Sequence, residues 1–298
     1  MIKGVLLSVF SSMLFGFLYF YSTLLEPLNG EDIFAWRILF TLPFLWLFTW
    51  RIGAFHLVRR IWARLTVQPA LILVLLFSSS LIGVQLWLFL WAPMHGKALE
   101  VSLGYFMLPL TMVLTGRLVF KEKLSGWQKL ATLSACVGVA SELVQVGSFS
   151  FEAALVAFGY PIYFGLRRQF DLNHLGGLWF DMTLLLPAAV WFAFVGEVNW
   201  LMISAYPALL GLIPLLGFLS ALALGTYFIA ARILSFSVFG LLGYVEPVLL
   251  LLVGLILGET IESAEWFTYG PIWLAVFFLV LEGAIFLRGS LNKHAHTG

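Results

Sequence analysis

Long apolar stretches alternate with short polar segments along the whole chain. Each stretch is close to 20 residues long, and the segments between them concentrate charged residues, Pro and Gly. Because an α-helix needs about 20 apolar residues to cross the hydrocarbon core of a bilayer, the pattern predicts ten transmembrane helices. They fall at residues 4–25, 32–50, 70–91, 98–119, 126–145, 150–166, 175–195, 206–230, 235–257 and 264–287.

The composition supports a membrane protein. The 298 residues are 62% hydrophobic and 10% charged, with a mean hydropathy of +1.02, whereas a soluble domain carries about 25% charged residues. The apolar runs are continuous and do not alternate as the strands of a membrane barrel do, which indicates an all-α integral membrane protein. The first run lacks a small-residue cleavage site, so we interpret it as a retained span and not a signal peptide.

Basic and acidic residues separate onto opposite sides of the predicted spans. Of the 16 Lys and Arg residues, all except Arg37 and Lys97 fall at the termini or in connections on one side, and the other side is acidic. Because cytoplasmic loops are rich in Lys and Arg, both termini are predicted to be cytoplasmic. Residues 288–298 would then form a cytoplasmic tail.

The two halves of the chain share a spaced motif. A Leu-Gly-Tyr sequence followed by Pro and Glu occurs twice, at Leu103, Gly104, Tyr105, Pro109 and Glu122, and at Leu242, Gly243, Tyr244, Pro247 and Glu259. Further matches pair Phe15-Gly16 with Phe164-Gly165, and Pro43 with Pro187. We therefore predict two five-helix repeats, residues 1–145 and 146–287. An odd number of spans inverts the second repeat relative to the first, which is typical of secondary transporters with a binding site near the midplane.

Several segments resemble one known family. They are residues 31–37, 91–100, 102–106 with Pro109, and Leu186-Pro187, and the run EVSLGYFMLPL is the most specific of them. These segments resemble the RarD-like branch of the EamA, or drug/metabolite transporter, superfamily, and the likeness covers nearly the whole chain. The resemblance implies a five-plus-five inverted-repeat fold and export of a small metabolite or drug across the bacterial inner membrane. It also implies that the third, fourth, eighth and ninth spans line a central cavity.

Glu246 carries the clearest functional signal. It falls midway along the ninth predicted span, where a carboxylate costs at least ~2.5–3.5 kcal/mol on insertion scales. The adjacent Pro247 removes a backbone hydrogen bond and bends the helix, which suits a cavity wall. Glu246 is therefore predicted to couple protons to transport or to bind a cationic group of the solute. A neutral carboxylic acid hydrogen-bonded between helices is the structural alternative.

Arg37 and Asp181 each lie six residues before one of the matched prolines. Arg37 is on the side predicted to be periplasmic, and its guanidinium matches the shape of a carboxylate in the solute. It could instead pair with Glu100 or Glu31 to close an outer gate, or extend to the lipid headgroups. Asp181 is a candidate gate residue near the cytoplasmic face, with a solvated carboxylate at the helix end as the alternative.

Five uncharged side chains are predicted to line the same cavity: Tyr105, Tyr244, Gln85, Trp91 and Tyr227. Tyr105 and Tyr244 occupy matching positions of the repeated motif, and each offers an apolar ring and a hydroxyl group. Gln85 is polar within an otherwise apolar run. Packing between helices is the alternative for the tyrosines, and membership of an interfacial aromatic belt is the alternative for Trp91.

Composition and motifs also limit the function. The net charge of +1 argues against a nucleic-acid partner. Neither a P-loop nor a hydrolase motif occurs, and one Cys with five scattered His does not suggest a metal site. We therefore predict no cofactor, no metal and no enzymatic activity.

The sequence as a whole predicts a secondary transporter that exports a small organic solute by alternating access, with membrane lipids around it. Proton coupling and facilitated transport both stay open, as do a monomer and a homodimer. Gly254 and Gly258 form a GxxxG element that permits close helix contact in either state. A membrane-embedded enzyme acting on a lipid-linked substrate is the alternative, but the acidic residues are dispersed. A scaffold without transport activity does not account for Glu246.

Overall fold

The computed structural model describes residues 2–195, 206–249 and 265–295, and all regular structure in these ranges is helical. A single 3₁₀ turn, Thr23–Leu25, follows the first helix. The α-helices are α1 (Ile2–Ser22), α2 (Gly30–Arg51), α3 (Phe55–Val67), α4 (Leu71–Met94), α5 (Ala98–Leu118), α6 (Gly126–Val146), α7 (Phe151–Gln169), α8 (Leu175–Leu184), α9 (Leu186–Val195), α10 (Pro207–Ile233), α11 (Phe236–Leu242) and α12 (Trp266–Ala295).

Eight helical stretches within the described ranges are long and apolar enough to cross a membrane, and they correspond to eight of the ten predicted spans. The sixth predicted span is the continuous helix α7, whose ends carry charged residues. The ninth begins with α11, but the structure describes it only to residue 249, so Gly254 and Gly258 lie outside the described residues. The all-helical membrane class is confirmed. The ten-helix inverted repeat and the cytoplasmic termini stay predictions.

One helix lies where the sequence analysis expected only a loop. Helix α3 connects the second and third spans, and its buried residues Leu57, Val58 and Ile61 fall on one face. Arg59 and Arg60 are exposed on the other face. This segregation is typical of an amphipathic helix at a membrane interface. Helix α3 is too short and too charged to be a membrane span.

The helices that carry the predicted site residues pack around one central core. Helix α2 packs against α10, and α5 packs against both α7 and α11. Side chains from all five of these helices contribute to the largest buried apolar cluster. Gly217 of α10 permits the close contact with α2, because a side chain there would collide with Phe40. The sixth and twelfth helices pair with each other away from this core.

The ninth predicted span is broken next to its proline. Helix α11 is followed by a turn at Gly243 and Tyr244, and the chain is helical again over residues 245–249. Pro247 has no N–H group to donate to the preceding turn, which explains why the regular hydrogen-bond pattern is interrupted here. Breaks of this kind are tolerated in a membrane where the backbone is buried in protein or lines a cavity. The break positions Glu246 at the start of the second helical segment.

Candidate functional site

Two oppositely charged side chains and three tyrosines lie near one another in the interior of the helical bundle. Arg37 of α2 interacts electrostatically with Glu246, Tyr105 of α5 and Tyr160 of α7. Tyr227 of α10 interacts with both Tyr160 and Glu246. We call these five residues the central site. Three of the predicted site helices and α7 contribute to it together with α2.

Arg37 is held from the neighbouring helix. Its side chain is only 6% exposed, and its Nε donates a hydrogen bond of 3.0 Å to Oγ of Ser220 in α10. Neither of its predicted partners, Glu100 or Glu31, forms an ion pair with it within the described ranges. Ser220 is the hydrogen-bond partner that the described residues provide for the Arg37 side chain.

Glu246 and Arg37 attract each other without touching. Each lies within electrostatic range of the other, but the ion pairs in contact among the described residues do not include them. Arg37 is tied to Ser220, while Glu246 is fixed on a short helical segment that begins after a turn. The two complementary charges therefore interact electrostatically without a contact ion pair among the described residues.

Aromatic rings surround these charges. The ring centroids of Tyr105 and Tyr160 are 6.2 Å apart. Tyr227 packs edge-on against Phe164 with a centroid distance of 5.7 Å and lies 4.6 Å from Phe239. The rings of Tyr160, Phe164, Tyr227 and Phe239 line a small cavity of about 20 Å³.

Two of the predicted cavity residues make contacts between helices. The hydroxyl of Tyr244 donates a hydrogen bond of 2.9 Å to the backbone oxygen of Phe106 in α5. Gln85 of α4 donates one of 2.6 Å from Nε2 to the backbone oxygen of Leu155 in α7. Both side chains are fully buried. These contacts connect helices, and a role of either residue in solute binding stays a prediction.

Trp91 and Glu100 lie near the connection between α4 and α5. The Trp91 ring stacks on His95 at a centroid distance of 4.1 Å. Glu100 pairs with Lys97 at 3.1 Å, and Lys97 also approaches Glu152 at 3.8 Å. The structure therefore gives Glu100 a lysine partner and does not bring it to Arg37. Whether Trp91 or Glu100 contacts the solute stays a prediction.

Asp181 is the centre of a second, fully buried network. One carboxylate oxygen accepts hydrogen bonds from Oγ of Ser79, at 2.6 Å, and from Nη2 of Arg167. The other accepts one of 2.5 Å from the hydroxyl of Tyr163. The alternative that the sequence left open for Asp181, a solvated carboxylate at the helix end, is wrong, because Asp181 and Arg167 are both 0% exposed. Arg167 is likewise buried and not part of a solvated basic loop. The network joins α4, α7 and α8.

A third polar contact connects the two halves of the chain. Glu122, a member of the repeated motif, accepts backbone hydrogen bonds of 2.8 Å from Phe236 and Ser237 at the start of α11. Nη1 of Arg168 donates a further bond of 2.7 Å. Burial acts to raise the pKa of Glu122, but the hydrogen bonds from Ser237, Phe236 and Arg168 outweigh burial and hold the pKa below its ordinary value.

Two residues of this region were missed from the sequence. Tyr160 lies one helical turn before Phe164, so the i, i+4 spacing from the matched Phe-Gly pair gave a usable signal. Ser220 gave none, because a serine in an apolar span usually bonds to its own helix. Among the residues that the structure describes, no group of three His, Cys, Asp or Glu could hold a metal ion.

Comparison with known proteins gives a consistent result. A model of the EamA-like transporter family matches residues 2–141. An uncharacterized transporter of Pasteurella multocida is 44% identical, over 97% of this chain and 99% of its own. The chloramphenicol-sensitive protein RarD of Pseudomonas aeruginosa is 40% identical over 98% of both chains. One solved crystal structure has a TM-score of 0.69 at 16% identity, covering 93% of this chain and 98% of that one, which shows a shared fold alone.

Proposed function

The chain belongs to the EamA-like transporter family, and we propose that it moves a small organic solute through the central site by alternating access. The family and the relative from Pasteurella multocida are transporters, which argues against the alternative of a membrane-embedded enzyme acting on a lipid-linked substrate. The observation that carries the proposal is the pair of separated charges, Arg37 and Glu246, among tyrosines in the bundle interior. Charged groups at such a depth cost free energy, so their presence there indicates a functional role.

Two polar contacts support an alternating-access cycle. Asp181 with Arg167, and Glu122 with Arg168, lie next to segments whose basic residues predict the cytoplasmic side. In the proposed cycle both contacts close the cytoplasmic end of the pathway. Opening that end to load solute requires the start of α11 to separate from Glu122, since its backbone hydrogen bonds connect the two halves.

We further propose export from the cytoplasm across the bacterial inner membrane, with Glu246 as the coupling group. A carboxylate that faces both an arginine and the pathway can exchange a proton for the solute during the cycle.

The test uses purified protein in liposomes that contain a pH-sensitive dye. A panel of amino acids, aromatic metabolites and chloramphenicol is added to wild type, to Glu246→Gln and to Glu26→Gln, which changes an exposed carboxylate. We expect solute-evoked proton movement in wild type and in Glu26→Gln, and its loss in Glu246→Gln. Solute flux without proton movement, unchanged in Glu246→Gln, would identify a facilitator. Failure of every solute to move would contradict transport.

A further inference from the structure

Helix α3 is attached to the bundle by two of its three arginines. Nη1 of Arg64 donates a hydrogen bond of 2.8 Å to the backbone oxygen of Phe170, and Nη2 of Arg60 forms an ion pair of 3.0 Å with Asp171. Both partners lie in the connection between α7 and α8. The helix also packs against α8. These contacts fix which face of α3 is turned away from the bundle.

The third arginine of α3, Arg59, and Arg51 at the end of α2 have different surroundings. Both side chains are exposed, and neither belongs to the contact ion pairs of residues 2–195, 206–249 and 265–295. The guanidinium carbon of Arg51 lies 5.9 Å from the ring centroid of Trp50, and that of Arg59 lies 6.0 Å from the ring centroid of Phe55. Each positive charge is therefore beside an aromatic ring and not beside a carboxylate.

The aromatic rings between these two arginines form one continuous row. The rings of Trp46 and Trp50 are stacked, with centroids 6.4 Å apart and an interplanar angle of 6°. The ring of Phe55 packs edge-on against Trp46 at a centroid distance of 6.4 Å. Trp46 and Trp50 are 47% and 56% exposed, and tryptophan is enriched where lipid headgroups meet the hydrocarbon. We call Arg51, Trp50, Trp46, Phe55 and Arg59 the interfacial row.

The chemistry of the interfacial row matches a phospholipid with an anionic headgroup. A guanidinium group forms paired hydrogen bonds with phosphate oxygens, and basic residues close to the membrane surface are attracted to anionic lipids. The exposed indole rings present apolar surface to the glycerol backbone and the first acyl carbons. A water-soluble anion would contact the two charges and leave the tryptophan rings uncovered, whereas a phospholipid contacts both.

We propose that the interfacial row is a binding site for an anionic phospholipid, with the headgroup on Arg51 and Arg59 and the upper part of an acyl chain along Trp46 and Trp50. The proposal follows from the charge complementarity between the two arginines and a phosphate, and from the exposed tryptophans beside them. It does not depend on the identity of the solute or on the transport cycle.

Native mass spectrometry of the purified protein in detergent measures the bound lipid directly. Phosphatidylglycerol and phosphatidylcholine with the same acyl chains are added in equal amounts, because the two lipids differ in the net charge of the headgroup. We expect the first phosphatidylglycerol to bind at least about tenfold more tightly than phosphatidylcholine. Arg51→Gln and Arg59→Gln should each weaken its binding about fivefold, and the double variant about twentyfold, without a change for phosphatidylcholine.

The matched control removes two exposed charges from another connection of the same basic side. Arg117 and Lys123 are exposed, but neither lies over an aromatic ring among the described residues. The double variant Arg117→Gln with Lys123→Gln should resemble wild type. Arg51→Lys with Arg59→Lys keeps both charges without the guanidinium forks and should retain part of the selectivity. It provides the test if the glutamine variants do not fold, which thermal unfolding detects.

Three results would overturn the proposal. Equal binding of phosphatidylglycerol and phosphatidylcholine by wild type would show that the anionic headgroup is not recognised. An equal loss in the arginine double variant and in the control variant would show a diffuse positive surface and not a site. Displacement of phosphatidylglycerol by an equal concentration of inorganic phosphate would show an anion site that does not require the lipid.

Discussion

The two charged residues that precede the matched prolines have opposite surroundings. Arg37 of α2 bonds a serine of α10, and Asp181 of α8 bonds a serine of α4. Asp181 is then saturated by further bonds from Tyr163 and Arg167, whereas Arg37 has Ser220 as its hydrogen-bond partner among the described residues. Equivalent positions of the predicted repeat thus support a contact ion pair in one half and, among the described residues, an arginine without a contact ion pair in the other.

The sequence explains this difference once the repeats are aligned on their Phe-Gly pairs. That alignment places Leu18 opposite Arg167 and Leu14 opposite Tyr163. Leu18 is buried in an apolar cluster with residues of α2 and α10. The first half therefore lacks the counter-charge and the hydroxyl that satisfy Asp181 in the second half. Because the first span has leucines at these two positions, Arg37 has no partner equivalent to those of Asp181 among the described residues. We interpret Asp181 as a structural charge and Arg37 as a charge that can bind the solute.

The largest effect is expected where a buried pair is broken. Arg167→Met leaves Asp181 buried without its counter-charge, so we expect a loss of about 3–5 kcal/mol in the free energy of unfolding. Arg60→Met, which breaks an ion pair 55% exposed on both sides, should cost less than about 1 kcal/mol. Thermal unfolding in detergent measures both. A combined Arg167→Met and Asp181→Leu variant should be more stable than Arg167→Met, and equal stability would contradict the pairing argument.

His174 should make the Asp181 region sensitive to acid. Its Nδ1 accepts a bond of 3.3 Å from the backbone N–H of Gly177 in the first turn of α8. Burial, and then the charge of Arg232, lowers the pKa of His174 to about 4. The other charges near the ring are those of Asp171, Arg167 and Arg60.

The sign of that effect follows from proton linkage. The unfolded chain binds a proton at His174 near pH 6.5 and the folded chain near pH 4, so stability is complete above pH 6.5 and falls as the pH drops toward 4. The slope from this one group is at most about 1.4 kcal/mol per pH unit. His174→Asn keeps a capping side chain and should flatten the profile in this window. An unchanged profile would exclude His174 as the acid-sensitive group.

Glu122 should produce a smaller effect at lower pH. Because its pKa is held below the ordinary value, its contribution is present above the unfolded carboxyl pKa and is lost as the pH falls through the folded one. Glu122→Gln should reduce stability by about 1–2 kcal/mol at pH 7, as for loss of a helix cap, and the difference from wild type should shrink below pH 4. Glu26→Gln is the matched control. A constant difference at all pH values would contradict the charge-based cap.

The membrane class could be predicted from sequence because transfer of apolar side chains to lipid dominates the energetics. Arg37 and Glu246 were identified for the same reason, since a charge within an apolar run is costly wherever it points. Gln85 and Tyr244 show the limit of this reasoning. When a span is apolar on every side, the pattern does not reveal which neighbour a polar side chain faces, and both residues bond to backbone oxygens of adjacent helices. The partners of Asp181 could not be predicted for the same reason, because two other helices, α4 and α7, contribute them.

The smallest change in stability is expected on substitution of Arg37. This measurement tests whether Arg37 differs from the buried Asp181–Arg167 pair. Arg37→Met removes one hydrogen bond to Ser220 but also removes the cost of a buried charge that has no contact ion pair, so we expect a change of less than about 1 kcal/mol in either direction. The same substitution at Arg167 is expected to cost several times more. Measured in parallel, Arg37→Met should abolish solute exchange while remaining folded. A destabilisation as large as that of Arg167→Met would show that Arg37 is a structural partner like Asp181, because only a charge already satisfied by the protein is that costly to remove.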